Sequence, residues 1–400
     1  MCQSVQRPVD RARSRRRARL LFLLLCLPAA EAASWVLGRA LQARWAMYVD
    51  PVRGSGCDYP SYLRERDPVL GWPGPGSDRY EPDGSTPVPA NRVLAGEELL
   101  VSLYGDSFTW GLNHGTPPAE AWANLLALEL GRRVENRGVP GYGTDQAYLR
   151  YLLDGGRERA RVAVLCHMTE DLARNLTRLR DLTGGGKQEL AFKPRFVLDE
   201  RGELRLVPIP RLSQAEYRRF LALEEPQLVL PHESFAPGGP MGATRLEFPF
   251  SLALVRNRAY WRFNARVGRY PDIAPLYRPD HPLQGLQLTR AILRGFAREA
   301  ARRGQRALVV LFPGPADARW MQRTGQDVQE GLARGLSADG VRVLRFTPLL
   351  LRHLGARPAG EAFHEGHFVR EINPLVAEAV LRELRAMGVY RSLGAITSTR

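Results

Sequence analysis

Lysine is almost missing from this chain: of 57 basic residues only Lys187 and Lys193 are lysines, and the rest are arginines. So lopsided a choice reads as codon usage rather than as a phosphate-binding surface, even at a net charge of +15. Beyond the N-terminus the arginines are mixed with acids, as in Arg132-Arg133-Val134-Glu135 and Arg298-Glu299. A nucleic-acid binder gathers its charge on one face and interleaves aromatics, so no nucleic-acid partner is expected. Cysteine is scarce too. Cys2 and Cys26 lie in the N-terminal segment, Cys57 in a glycine-rich loop and Cys166 in the apolar run Val162–Cys166. That excludes a disulfide framework and leaves room for one bridge, Cys57 to Cys166; a buried thiol is the default at Cys166. CxxC and HxxxH spacings are absent, so neither a metal nor another cofactor is expected. No repeat of roughly 20–50 residues is visible, which argues against a solenoid.

What is present is an ordinary globular composition, 44% hydrophobic and 25% charged, in 400 residues. At roughly 100–200 residues per domain, that length fits one large domain with an insertion, or two domains. The N-terminus has its own pattern. Arg7, Arg11, Arg13, Arg15, Arg16, Arg17 and Arg19 precede the apolar run Leu20–Ala30, and Ala30-Glu31-Ala32 follows as a small-x-small site. This is the order of a secretory signal peptide. A bilayer span needs about 17–25 residues; extending the run to Leu37 reaches that length but buries Glu31, at about 2–3 kcal/mol. Residues 1–37 are thus expected to be a signal peptide or an N-terminal membrane anchor. Either leaves the body outside the cytoplasm, periplasmic or in the cell envelope. Leu25 before Cys26 argues against a lipoprotein signal.

Residues 38–96 read as loop-rich, punctuated by Gly54-Ser-Gly56, Gly71-Trp-Pro-Gly-Pro-Gly76 and Pro82-Asp-Gly84. From about Glu97 strands alternate with helices. Strand-like runs are Leu99–Tyr104, Arg133–Asn136, Val162–Cys166, Arg306–Phe312 and Val341–Phe346. Helical patterns cover Ala119–Leu130, Asp145–Leu153, Leu288–Arg302, Ala316–Leu336 and Pro374–Leu384. Continuous apolar strands between helices predict an α/β fold, a three-layer α/β/α sandwich around a mainly parallel five-stranded sheet. Between about 176 and 283 the alternation fails, and an inserted lobe is expected there, with a two-strand segment from Phe196 to Val207. Ligands of such sheets bind beyond the strands' carboxyl ends.

Three segments sit at those ends. Gly105-Asp106-Ser107 follows the first strand, where a serine can attack with its own N–H beside the reaction centre; the bland alternative is a helix cap. Asn136-Arg-Gly138-Val-Pro140-Gly141-Tyr-Gly143 follows the second, and its glycines let backbone come close to a ligand; Thr144 or Asp145 would cap the next helix. Near the C-terminus, His364-Glu365-Gly366-His367 precedes the last helix, and a histidine there can reach over the sheet with a carboxylate fixing its tautomer.

In this order the three segments resemble the GDSL or SGNH hydrolase family over about Glu97–Leu384, the insertion apart. The matching blocks are Gly105-Asp106-Ser107, Asn136-x-Gly138-x-x-Gly141, and His367 with Val376-Ala377. Leu70-Gly71-Trp72 and Gly141–Gln146 look like the exported, often membrane-anchored branch. The resemblance implies a flavodoxin-like SGNH fold over 97–400. It also implies Ser107 as nucleophile, His367 as general base, and an oxyanion hole from the amides of Ser107 and Gly141. Two departures stand out. Glu170 occupies the place of the family's oxyanion asparagine, with Asn175 as the expected substitute. His364 stands where the family's aspartate is usual, so Glu365 is the expected acid; a Ser-His dyad, or His364 backed by Glu361, are the fallbacks. The expected activity is a serine esterase or lipase-like hydrolase working through an acyl-enzyme on a small-molecule, lipid or glycan acyl ester. The alternatives are an O-acyltransferase or deacetylase on envelope glycan, and a non-catalytic envelope binding protein. Trp110, Trp122 and Trp261 read as packing, Glu170-Asp171 as a solvated helix start, and Lys193-Pro194-Arg195-Phe196 has no assigned role.

Overall fold

The computed structural model describes residues 9–44, 59–74, 77–154, 159–183, 191–222, 226–236, 239–242, 244, 246–258, 261–262 and 273–390. Cys2 and Cys57 lie outside these, and with Cys57 the expected bridge; Cys166 is a free, buried thiol.

Strands β1 (Leu99–Gly105), β2 (Arg133–Gly138), β3 (Val162–Met168), β6 (Arg306–Phe312) and β7 (Val343–Arg345) form one parallel sheet in the order β2-β1-β3-β6-β7. Every residue of β1 and β3 is buried, which is why these runs are continuously apolar rather than alternating. The pleat still divides them. Val162, Val164, Cys166 and Met168 join a core with the helices Trp122–Leu130, Phe346–Leu354 and Asn373–Ala386. Ala163 and Leu165 join the opposite core with Thr144–Leu153, Gly285–Arg302 and Glu330–Ala338. Each large aliphatic side chain buried this way contributes about 1.5–3 kcal/mol. The result is the expected three-layer α/β/α sandwich.

The expected helix Ala316–Leu336 is two helices, Pro315–Thr324 and Glu330–Ala338. Gly325, at φ 73°, closes the first in a left-handed C-cap. Asp327 then leaves the helical path to bind Arg345 at 2.7 Å.

The lobe expected between 176 and 283 contains the antiparallel pair β4 (Arg195–Leu198) and β5 (Leu204–Val207), joined by the turn at Asp199–Gly202. It also holds helices Gln214–Ala222 and Phe250–Arg256. Its core is shared with the N-terminal region: Tyr62 packs with Leu179, Phe192, Ile209, Leu212, Tyr217 and Phe220.

The N-terminal segment forms one helix, Val9–Arg44. No helix among the described residues is long and apolar enough to cross a membrane. Glu31, the middle residue of the small-x-small site, accepts hydrogen bonds from the N–H and hydroxyl of Ser251 at the start of Phe250–Arg256. Gly38 lies so close to Leu246 that a Cβ there would come within 2.6 Å of its side chain.

Strands β8 (Phe363–His364) and β9 (His367–Phe368) make a small hairpin in which His364 pairs with His367. Its turn has Glu365 at φ 43° and Gly366 at φ 85°, the double positive φ of a tight hairpin turn.

Candidate active site

Parallel register brings the ends of β1 and β2 together, with Gly105 opposite Gly138. A Cβ on Gly105 would lie 2.0 Å from Thr109 Oγ1, and one on Gly138 2.4 Å from the Trp110 nitrogen. The two glycines therefore let the turn carrying Ser107 fold flat across both strand ends. Asp106 caps that turn, its carboxylate accepting the Phe108 N–H at 2.9 Å. Asn136 braces it from β2, donating to the carbonyls of Thr109 at 2.9 Å and Trp110 at 3.2 Å. Trp122, as expected, packs in the core, and its indole N–H donates to the Phe108 carbonyl at 3.0 Å. The serine is thus held by its surroundings.

From the far end of the chain, His367 places Nε2 2.9 Å from Ser107 Oγ. Its Nδ1 lies 3.2 Å from the Glu365 carbonyl oxygen. A carbonyl only accepts, so Nδ1 carries the hydrogen and Nε2 presents its lone pair to the serine hydroxyl. Burial lowers the His367 pKa, while the negative Asp106 and the Glu365 carbonyl raise it in part. A neutral imidazole is thereby favoured, ready to accept a proton.

The expected acid is not where the sequence reading puts it. The Glu365 carboxylate is exposed and turned toward His114, 3.8 Å away; its main-chain oxygen orients His367. The left-handed hairpin turn causes the exchange, swinging the side chain outward while the carbonyl points at the ring. His364, the fallback base, stacks edgewise on His114 at 4.6 Å. The oxyanion expectation for Asn175 also fails. Its carboxamide is fully buried and occupied at both ends, accepting the Asp145 N–H at 3.0 Å and donating to Thr289 Oγ1 at 3.0 Å.

The loop with Gly141 (φ 81°) lies against the nucleophile turn, because the Val139 N–H donates to the Gly105 carbonyl at 3.0 Å. The Leu70-Gly71-Trp72 segment clasps it from outside. Trp72 donates to the Pro140 carbonyl at 2.9 Å, Tyr142 donates to the Trp72 carbonyl at 2.5 Å, and Gln146 donates to the Leu70 carbonyl at 2.7 Å.

Three buried polar groups beneath the site were not read from the sequence. Arg174 binds Asp106 at 3.1 Å, Asp171 at 2.8 Å and the Tyr142 carbonyl at 3.1 Å, tying the nucleophile turn to the Gly141 loop. Asp171 is therefore a buried partner and not a solvated helix start; burial, with Asp106 close by, holds its pKa well up. Glu170 remains exposed and pairs with Arg174 at 3.2 Å. His167 bridges Thr144 Oγ1 at 2.6 Å and Tyr277 Oη at 2.8 Å, and burial pushes its pKa down to about 3, so it stays neutral. Lys193, fully buried, bonds Asp145 Oδ2 at 2.6 Å. The spacing Asp171-x-x-Arg174 was a visible ion-pair signal; the long-range partners of His167 and Lys193 left none.

A hydroxyl beneath the lone pair of an oriented imidazole, at the carboxyl end of a parallel sheet, is the working arrangement of a serine acyl hydrolase. Residues 103–207 match the GDSL-like Lipase/Acylhydrolase family, a stretch that contains Ser107 and Gly141 and stops short of His367. Residues 103–207 are thus similar to GDSL-like acylhydrolases, and the Ser107–His367 pair has the arrangement of a serine ester hydrolase. No curated protein matches it. Among solved structures, it is similar to a lipolytic protein of the G-D-S-L family from Desulfitobacterium hafniense DCB-2, at 14% identity over 71% of this chain and 99% of that one, with a TM-score of 0.33. A catalytic mutant of an acetylxylan esterase from Geobacillus stearothermophilus matches at 12% identity, over 72% and 94% of the two chains, with a TM-score of 0.34. The aryl esterase of M. smegmatis matches at 14% identity, over 72% and 99%, with a TM-score of 0.33.

Proposed function

We propose that Ser107 attacks the carbonyl carbon of an acyl ester while His367 Nε2 takes its proton. The ester C–O bond then breaks and the alcohol leaves with that proton. Water, deprotonated by His367, hydrolyses the acyl-enzyme and releases the acid as Ser107 regains its hydrogen. The single observation that carries this reading is the 2.9 Å contact between Ser107 Oγ and His367 Nε2, with Nδ1 anchored on a carbonyl. The tetrahedral oxyanion is received by the amides of Ser107 and Gly141, groups fixed before the reaction begins. The site of action is outside the cytoplasm. Supporting this are the arginine cluster and apolar run of residues 7–30. The Glu31–Ser251 bonds support retention of the segment as part of the folded protein.

The test uses a fluorophosphonate probe and p-nitrophenyl acetate on the full chain. Wild type is expected to label and to hydrolyse the ester, with Ser107→Ala losing both and His367→Gln falling by about 10⁴ or more. Absence of labelling in folded wild type overturns the reading. If sugar acceptors divert the acyl group from water, the same acyl-enzyme serves transfer instead.

A further inference from the structure

Beside the catalytic pair lies a second cluster that the ester chemistry does not use. His114 stands in the turn Asn113–Gly115, just after the nucleophile helix, while His364 and Glu365 lie on the hairpin that carries the base. One ligand atom from each lies within 4.8 Å of the others. His114 Nδ1 is 3.8 Å from Glu365 Oε2, and the two imidazoles meet edge to face at 4.6 Å. Both His114 (φ 55°) and Glu365 (φ 43°) sit in left-handed backbone, which non-glycine residues seldom adopt. Such conformations persist where the surroundings hold them and gather at functional sites.

We infer that His114, His364 and Glu365 form a binding site for a zinc-class divalent cation at the mouth of the active site. Two imidazoles and a carboxylate are a borderline ligand set that suits zinc or cobalt better than calcium or magnesium, which favour all-oxygen shells. Zinc bonds of about 2.0–2.2 Å put tetrahedral ligands roughly 3.3 Å apart. The exposed side chains therefore need to close by up to about 1.5 Å, within reach of side-chain rotation alone. Three protein ligands leave a fourth position for water. The ion would bind the loop after the nucleophile to the hairpin of the base, and so fix the Glu365 carbonyl on which His367 depends. The sequence concealed the site because its ligands come from segments some 250 residues apart with no motif spacing between them.

The experiment is a titration of the chelator-treated full chain with Zn²⁺ by calorimetry, and with Co²⁺ by visible absorption. One ion per chain is expected, with the intense visible bands of tetrahedral cobalt and a melting temperature that rises with zinc. His114→Gln and His364→Gln are each expected to weaken binding at least tenfold and to remove the zinc-dependent rise, while melting without metal as wild type does. Ser107→Ala is expected to bind as wild type does. Failure of the ion to bind, equal binding in both histidine variants, or loss of binding in Ser107→Ala would each overturn the proposal; the last would place the ion on the catalytic pair instead. Binding is read without turnover, so it stands or falls apart from the hydrolase reading.

Discussion

Replacing Lys193 by methionine tests the claim that the inserted lobe is clamped to the active site through one buried charge pair. Lys193 Nζ bonds Asp145 Oδ2 at 2.6 Å and the carbonyls of Thr177 at 3.2 Å and Pro194 at 2.9 Å. Asp145 stands at the start of the helix that follows the Gly141 loop, so the clamp reaches the segment beside the nucleophile turn. Methionine keeps the length of the side chain and leaves no large hole. What remains is a carboxylate buried without its cation, and removing one partner of such a pair costs about 3–5 kcal/mol. At about 2–4 °C per kcal/mol for a folding unit of some 150–250 residues, the melting temperature falls by about 10 °C. Replacing both partners, in Asp145→Leu with Lys193→Met, leaves no orphaned charge and is expected to melt well above the single variant.

The pH dependence supplies the sign. Burial already raises the Asp145 pKa, and Lys193 is the chief influence opposing it. Without Lys193 the folded value climbs further, whereas the unfolded chain releases that proton near 3.9. Over this interval the folded state binds more protons than the unfolded, so the variant loses stability as pH rises, by up to about 1.4 kcal/mol per unit. The penalty is therefore smallest near pH 4–5 and grows toward neutrality, until it levels off at the new folded pKa. Circular-dichroism melts of the three proteins at pH 5, 6, 7 and 8 measure it. A loss under about 1 kcal/mol at pH 7, or a penalty that shrinks as pH rises, refutes the reasoning.

Glu365→Gln separates the carbonyl from the carboxylate as the group that orients His367. With chelator present, kcat/KM on p-nitrophenyl acetate is expected to fall by no more than about tenfold, against about 10⁴ for a lost triad acid; a loss near the larger figure returns the role to the carboxylate. Asp106→Asn removes a negative charge that raises the His367 pKa. The acid limb of its pH–kcat/KM profile is expected to move to lower pH, because the base must be neutral to act, and a shift to higher pH would contradict the placement of Asp106.

How far the sequence could be read follows from the range of the interactions. The sheet was legible because β1, β3 and β6 are buried on both faces and therefore continuously apolar, and parallel strands at that spacing leave one layered arrangement. Ser107 and His367 were legible because each lies at a strand end or just before the last helix, where the backbone fixes its direction. The hairpin turn was misread because its Glu365-Gly366 step takes positive φ at a residue type that seldom does, which exchanged carboxylate for carbonyl. Lys193 carried no local signal: its partners Asp145 and Thr177 lie on other elements, and only the fold brings them to one point.

The departure at Glu170 has a physical reason that only the whole site shows. An isolated carboxylate there would oppose a developing oxyanion, yet its charge is turned to Arg174 at 3.2 Å. That guanidinium also meets Asp106 and Asp171, both buried. One cation set among three carboxylates fixes the turn of Ser107 and the Gly141 loop to each other through bonds that do not change during acyl transfer. Removing one side-chain oxyanion donor costs about 2.7–4 kcal/mol in a serine hydrolase of another fold. With Glu170 engaged by Arg174 and Asn175 occupied at both ends, the proposed mechanism leaves stabilisation of the oxyanion to backbone amides of the two segments that this buried network ties together. The same cation that engages Glu170 thus also ties the Ser107 turn to the Gly141 loop, so the two features are parts of a single arrangement.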